Sequence, residues 1–297
     1  MYVKEEPFIK VENAIIMAAG FSSRFAPISY EYPKSLIKVK GQILIERQIL
    51  QLKEAGIDDI TIVVGYKKEL FYYLIDQFQV KIVENPDYAS RNNHSTIYAV
   101  KEKLGNTYIC SADNYFTKNV FEAYVNRAYY SSVYEEGETN EWRIETDKTG
   151  LITDLKIGGK DSWVMLGHVF FSRDFSNKFV EILEDVYANL ETKNLLWESI
   201  YLDHLNELDL YIREYPKETI FEFDTLDELR VFDPQYIDST GSKILQTICE
   251  QLNCNESDIT RFSPIKKDVE TIGFDCFIKG TAYSYFYETK ELLIYRS

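Results

Sequence analysis

The feature that most constrains this chain is an alternation of short apolar runs with helical patterns. Between residues 12 and 116 stand four runs, ENAIIMAAG, DDITIVVGY, VKIVENP and NTYICSADNYF. The stretches between them read as helices. QILIERQILQLKEAGI places Ile45, Ile49 and Leu52 at helical spacing and stops at Gly56, and KELFYYLIDQF and STIYAVKEKL follow the same pattern. Runs that are apolar at successive positions need cover on both faces, which a parallel sheet with crossover helices supplies. The expected fold is therefore α/β, Rossmann-like, with a mostly parallel sheet.

Beyond Phe116 the order loosens. NVFEAYVNRAYY reads as a helix and SSVYEE as the start of a strand. NEWRIETDKTGLITDLKIGG reads as a hairpin turning at residues 147–150, with SWVMLGHVFFS as a further strand. Two amphipathic helices, DFSNKFVEILEDVYANL and LLWESIYLDHLNEL, precede two late strands, DLYIREYP and TIFEFD. The polar stretch DSTGS marks a boundary, giving a main domain over 1–237 and a small α+β piece over 238–297. That piece opens with the helix KILQTICEQLN and continues in short strands.

Charge narrows the function classes. With 33 Lys+Arg against 48 Asp+Glu the net charge is −15, so a phosphate backbone is repelled and no nucleic-acid partner is expected. A small cation is attracted. No apolar run approaches the roughly 20 residues of a membrane helix. The first ten residues carry charges and Pro7 without an apolar core, unlike a signal peptide. Cys110, Cys249, Cys254 and Cys276 form no paired CxxC units. They are read as reduced thiols, neither a disulfide frame nor a zinc site, in a cytoplasmic protein with no membrane partner.

The loop after the first strand carries the chemistry. Neither GxGxxG nor GxxxxGK[ST] is present, which disfavours a nicotinamide site and a P-loop NTPase. MAAGFSSRFAP stands there instead, followed by YPKSL. Ala18, Ala19 and Gly20 let a backbone approach a ligand closely, and their N–H groups can cradle phosphate oxygens. Arg24 brings a forked donor and Lys34 a mobile point charge. A Gly-containing turn flanked by two solvated cations would look the same on spacing alone.

MAAGFSSRFAP and YPKSL resemble the (A)AGxGxRxxP…PK signature of nucleotidyltransferases that activate sugar phosphates and related alcohols, with Phe21 and Ser22 as a departure. LIERQILQLKEAGI, VVGYKKELF, NPDYASRNNHSTIYAV, ADNYF, NEW, LLWESIY and FEFDTLDEL extend the likeness over residues 13–233. Together they resemble the bacterial CTP:phosphocholine cytidylyltransferases. The resemblance implies CTP and phosphocholine as substrates, CDP-choline and pyrophosphate as products, and Mg²⁺ as cofactor. It implies Mg²⁺ ligation by Asp113, Glu222 and Asp224, and catalytic positive charge from Arg24 and Lys34. Asp113 ends a strand run, where ligands gather in open α/β sheets. Glu222 and Asp224 alternate in FEFD and would share one face of a strand; they would equally suit a solvated strand face, with Asp224 capping the next helix.

RNNHSTIY lies where such relatives contact the base, and Asn93 and Ser95 can match a cytosine edge, although both could instead cap a helix. For the acceptor's quaternary ammonium, aromatic faces and acids are required. NEW and LLWESIY supply Glu141, Trp142, Trp197 and Glu198, and Tyr115 follows Asp113. The family often has Asp where Glu198 stands, and both tryptophans could equally be core residues. The three histidines need no catalytic role: His94 lies in the base-side loop, and His168 and His204 read as structural. The C-terminal strands resemble the opening of choline-kinase-like phosphotransferases but lack the Gly-rich turn, so kinase activity is not expected. The piece is expected to pack on the main domain or to mediate a homodimer. Another phosphate or phosphonate acceptor, such as 2-aminoethylphosphonate or a sugar 1-phosphate, and a non-catalytic nucleotide sensor remain the alternatives.

Overall fold

A computed structural model describes residues 8–268 and 270–295. The chain divides into two compact units, Met1–Gly20 with Ile45–Glu222, and Phe21–Leu44 with Phe223–Ser297. These bounds differ from the expected 1–237 and 238–297. The signature segment after Gly20 and the residues after Glu222 cluster with the C-terminal sheet.

The first unit is built on a seven-stranded sheet. Its parallel half contains β1 (Asn13–Ala18), β2 (Ile60–Val64), β3 (Lys81–Glu84) and β4 (Thr107–Ser111) in the order β4-β1-β2-β3. Ala14, Ile15 and Ile16 are all fully buried, as a strand covered on both faces requires. The helix α1 (Leu44–Glu54) begins just before this unit resumes, and α2 (Tyr73–Phe78) and α3 (His94–Tyr98) are single short helices.

The other half is a long bulged hairpin of β5 (Tyr129–Thr146) and β6 (Ile152–Phe171). It pairs antiparallel with β4 through β6 and parallel with β7 (Tyr211–Tyr215) through β5. Its turn falls at residues 147–150, where the Asp147 carboxylate accepts the N–H groups of Thr149 and Leu151 and Gly150 takes φ 84°. The helices α4 (Arg173–Ala188) and α5 (Trp197–Asp203) pack Phe175, Phe179, Leu183, Trp197, Ile200 and Tyr201 into the core on this side.

Two expectations fail here. NVFEAYVNRAYY is not a helix. Tyr124–Val125 pairs with Ile9–Lys10, Val11 N–H donates to Ala123 O, and the Asn119 side chain accepts Phe121 N–H. Those backbone groups are thus satisfied across the chain rather than along it. TIFEFD is a strand only at Ile220–Phe221, so the alternation argument joining Glu222 to Asp224 does not apply.

In the second unit the segment 21–44 is irregular, with short turns at Ser23–Phe25 and Lys34–Leu36. It is accompanied by α6 (Leu226–Phe232), α7 (Lys243–Leu252) and a four-stranded antiparallel sheet. Its strands are β8 (Ile259–Lys267), β9 (Glu270–Ile278), β10 (Thr281–Phe286) and β11 (Leu292–Ile294). Arg230, 8% exposed, donates to the carbonyls of Tyr236, Glu256 and Ile259 and so fastens α6 to the start of the sheet. Among the described residues no helix is long and apolar enough to cross a membrane, and the four cysteines are free.

Candidate active site

In the first unit the carboxyl end of β1 runs into Ala18, Ala19 and Gly20. Ala19 is buried and its carbonyl accepts Tyr66 N–H at 3.1 Å. A Cβ at Gly20 would meet no atom within 4 Å, and its φ lies outside the left-handed region. Neither packing nor backbone geometry therefore calls for glycine there. Gly65 is the opposite case: a Cβ would fall 2.5 Å from Tyr88 Cγ and 2.8 Å from Ala19 O. It lets the two chain segments touch, a role its place at the end of VVG could have suggested.

Asp113 follows β4, half-buried, and accepts the Ser111 hydroxyl at 2.9 Å. The neighbouring Asn114 donates its amide to Glu222 at 3.2 Å. Fully buried Gln48 donates to the carbonyls of Ser111 and Asn114, at 2.8 and 2.9 Å, and fixes this bend. Arg47 donates to Phe116 O at 2.8 Å and lies 4.6 Å over the Tyr115 ring. Tyr115 is thus 8% exposed and covered by a cation, which weakens its expected contact with a quaternary ammonium. Gln48 and Arg47 escaped the sequence reading because a polar residue on an amphipathic helix gives no sign of what it reaches.

The segment expected to read the base is tied into the scaffold. Ser95 is 1% exposed; its hydroxyl donates to Asn92 O at 2.8 Å and accepts from the Asn85 amide at 2.9 Å. Buried, and with its hydroxyl proton given to Asn92 O, Ser95 has no side-chain donor left for a cytosine edge. Asn93 accepts Trp197 N–H at 2.8 Å and donates to Glu198 at 3.1 Å, so its amide holds the start of α5. Neither side chain caps α3: its N-cap, Asn93, makes no side-chain cap bond.

The acceptor-side residues partly converge. Trp197 is 1% exposed, stacked on Tyr130 at 5.7 Å and edge-on to Phe171 and Phe179. It is a core residue, contrary to the cage reading. Trp142 is half-buried against the same core, and Glu141 is exposed. Tyr130, half-buried and overlooked in the sequence, is where the charges gather. Burial first, then the charges of Glu198, Glu222 and Glu141, hold its hydroxyl far above its ordinary pKa. Glu198 is itself pushed up to about 7 by burial, against the pull of its hydrogen bond from Asn93. All three acids add negative charge to the surroundings of this phenol when ionised, which favours a cation there.

The three histidines each contact a neighbouring group of the scaffold. His168 is fully buried beside the Tyr129 hydroxyl, at 3.0 Å, and burial pushes its pKa down to about 3. His94 contacts Leu195 O at 2.7 Å and His204 pairs with Glu207 at 3.1 Å.

In the second unit Arg24 is two-thirds exposed and pairs with Asp224 at 2.6 Å. Lys34 is 3% exposed, 5.8 Å over the Phe25 ring. Asp224 also donates its N–H to Glu228 at 2.7 Å, while the N-cap of α6 is Thr225 in a reciprocal capping box with Glu228. Asp224 is therefore not the cap. Ser22, which departs from the signature, sits at φ 47° and ψ 46°, the left-handed region that glycine favours.

Among the described residues no three His, Cys, Asp or Glu side chains converge to hold a metal by themselves. The donor chemistry nevertheless suits magnesium, which takes few carboxylates and completes its shell with phosphate oxygens and water. Asp113 and Glu222 are hard oxygen donors linked through adjacent residues of one bend.

The mostly parallel sheet and the glycine-bearing loop after its first strand define a nucleotidyltransferase. Residues 14–140 match the MobA-like NTP transferase domain. The choline-phosphate cytidylyltransferase of Streptococcus pneumoniae is 39% identical over 218 residues, 73% of this chain and 95% of that protein. The 2-aminoethylphosphonate cytidylyltransferase of Lancefieldella rimae is 37% identical over 229 residues, 76% of this chain and 93% of that protein. The solved structure of the CTP:phosphocholine cytidylyltransferase from Streptococcus pneumoniae superposes with a TM-score of 0.73 at 38% identity, covering 76% of this chain and 99% of that one. The chain belongs to the nucleotidyltransferase family that contains these cytidylyltransferases.

Proposed function

We propose that the protein transfers the cytidylyl group of CTP to phosphocholine, releasing CDP-choline and pyrophosphate. A phosphate oxygen of the acceptor attacks the α-phosphorus. The bond from that phosphorus to the bridging oxygen of the β-phosphate breaks, and pyrophosphate leaves. Gly20 and its neighbours give the triphosphate close access to backbone N–H groups. Arg24 and Lys34 bring fixed positive charge to the phosphates. Asp113 and Glu222 would hold magnesium, which when bound neutralises phosphate charge as pyrophosphate departs. The family resemblance implies the same role for Asp224, which pairs with Arg24 through one carboxylate oxygen. No nucleophilic side chain is required, since the acceptor is already an anion and its placement supplies much of the acceleration.

The observation that carries the acceptor assignment is the 39% identity, over most of both chains, to a choline-phosphate cytidylyltransferase, and Glu141, Glu198 and Glu222 all add negative charge to the surroundings of Tyr130. Negative charge beside an aromatic ring suits a cationic head group and offers an uncharged sugar no such attraction. A second reading, 2-aminoethylphosphonate as acceptor, is favoured by the 37% identical relative and by the number of acids, since a primary ammonium can donate to each of them. Pyrophosphate release from CTP and Mg²⁺ is to be measured with phosphocholine, 2-aminoethylphosphonate and glucose 1-phosphate in parallel. Fastest release with phosphocholine supports the proposal. A preference for the phosphonate transfers it to the second reading, and release with glucose 1-phosphate alone discards the cation face.

A further inference from the structure

The C-terminal sheet shares a compact unit with the segment that carries Arg24 and Lys34, and the ties between them are specific. The rings of Tyr30 and Tyr287 stack with centroids 3.6 Å apart and planes at 9°. Strand β8 packs on the turn Ser23–Phe25 that holds Arg24. Lys243 N–H donates to the Glu31 carboxylate at 2.9 Å, the Tyr236 hydroxyl to Lys38 O at 2.6 Å, and Lys40 N–H to the Asp233 carboxylate at 2.7 Å. Tyr287 is itself anchored: it is 7% exposed and lies against the rings of Phe274 and Tyr285 in the core of the sheet. Residues 21–44, by contrast, hold little regular structure of their own. A loop of that kind opens locally at low cost unless something outside it packs on it.

The pneumococcal relative is matched over 95% of its length by 73% of this chain. Most of the unmatched quarter of this chain therefore has no counterpart there. The family resemblance runs over residues 13–233 and leaves the sheet out, so the effect of the sheet is sought in what it touches.

We propose that the C-terminal sheet positions the signature loop, with Tyr287 as the positioning residue. The Tyr287 ring, fixed in the sheet, clamps Tyr30 and through it holds the backbone that presents Arg24 and Lys34 to the nucleotide. The kinetic half of this inference rests on the reaction proposed above. Misplacing a charged donor by a fraction of an ångström weakens the transition state more than it weakens the fold.

The test compares the full-length protein with Tyr287→Ala, Tyr287→Phe, Tyr30→Ala and the double alanine variant. Tyr287→Ala should raise KM for CTP and lower kcat/KM about tenfold, leaving KM for the acceptor near the parent value. Tyr287→Phe keeps the stacked ring and should stay within about twofold of the parent, and the double alanine variant should be no worse than either single one. Amide hydrogen exchange over residues 21–44 should quicken in Tyr287→Ala. A folded Tyr287→Ala protein with parental KM for CTP and parental exchange in the loop overturns the proposal. If Tyr287→Ala does not fold, Tyr30→Ala removes the same stack from the 41% exposed side and decides by the same readouts. A parent that transfers to no acceptor removes the proposed reaction alone, since loop exchange needs no turnover and still decides whether the sheet holds the loop.

Discussion

The loop after β1 and the segment 85–98 both follow parallel strands, and both carry small polar residues expected to touch one nucleotide. They are built in opposite ways. Gly20 has open space where a side chain would go, and Arg24 is two-thirds exposed with one ion-pair partner in Asp224. In the second segment Ser95, Asn85 and Thr96 are almost wholly buried and bonded to one another. Buried polar groups must find partners, so a run of Asn and Ser near a site can be scaffold as readily as reader. The informative sign is the unfilled space beside a small residue, not the presence of polar side chains.

If that contrast is right, substitutions of the first kind change kinetics and substitutions of the second kind change stability. The largest kinetic effect should come from Asp113→Asn, which keeps the shape of the bend but removes its charge. We expect kcat to fall at least about a hundredfold with an unchanged melting temperature. Near-parental turnover would remove Asp113 from the site. Gly20→Ala should fold normally, because the added methyl has room and the backbone is allowed. Its kcat/KM for CTP should drop by about tenfold or more as the methyl occupies the approach to the phosphates. Ser95→Ala should do the reverse. It removes one of the two acceptors of the Asn85 amide and one of the two donors to the Asn92 carbonyl, costing about 1 kcal/mol of stability in urea unfolding, with KM for CTP unmoved. Should Ser95→Ala raise that KM without destabilising, the contrast breaks.

Glu198 sharpens the comparison from the acceptor side. Burial raises its pKa to about 7, so it is largely neutral below that value and charged above it. A cationic head group is held better by the charged form. KM for phosphocholine should therefore fall as pH rises through about 7, and the fall attributable to Glu198 should vanish in Glu198→Gln. The acceptor's own phosphate titration is common to both proteins and cancels in their ratio. A ratio that is flat across this range would detach Glu198 from the ammonium. Asn93→Ala, which removes the bond that lowers this pKa, should move the profile to higher pH by a smaller amount.

The fold was legible where local pattern and tertiary need coincide. The four apolar runs became β1 to β4 because a strand covered on both faces has one readable composition. The turn at 147–150 was legible because Asp and Gly there satisfy a local geometry. NVFEAYVNRAYY misled because its partner, Ile9–Lys10, lies more than a hundred residues away. The site divided in the same way. As candidates, Gly20, Arg24, Lys34 and Asp113 are marked by residue type, by place after a strand and by the family resemblance. Tyr130 is not, since nothing in a tyrosine at the start of a long strand announces that acids at 141, 198 and 222 add negative charge to its surroundings. Trp197 was misplaced for a related reason: an acid beside it in sequence, Glu198, points elsewhere from the helix while the indole enters the core.

Ser22 offers the finest comparison, because it is a departure from the signature within the signature. The structure keeps the left-handed backbone at this position, with φ 47°, and asks a residue with a Cβ to adopt it. For an ordinary L-residue that conformation costs roughly 1–2 kcal/mol, which glycine avoids. Glycine in turn gives the unfolded chain more freedom, an opposing term of about 0.4–1 kcal/mol. Ser22→Gly should therefore raise stability by between zero and about 1.6 kcal/mol, a shift of at most a few degrees in melting temperature. Its effect on KM for CTP should be small, since the backbone that follows Gly20 would keep its path. A destabilised Ser22→Gly protein would mean that the serine hydroxyl holds the loop, and the departure would then be a bond exchanged for a conformation. A stabilised protein with weaker CTP binding would mean that the strain fixes Phe21 to Arg24 in their working geometry, and that glycine at this position frees the loop as it relieves it.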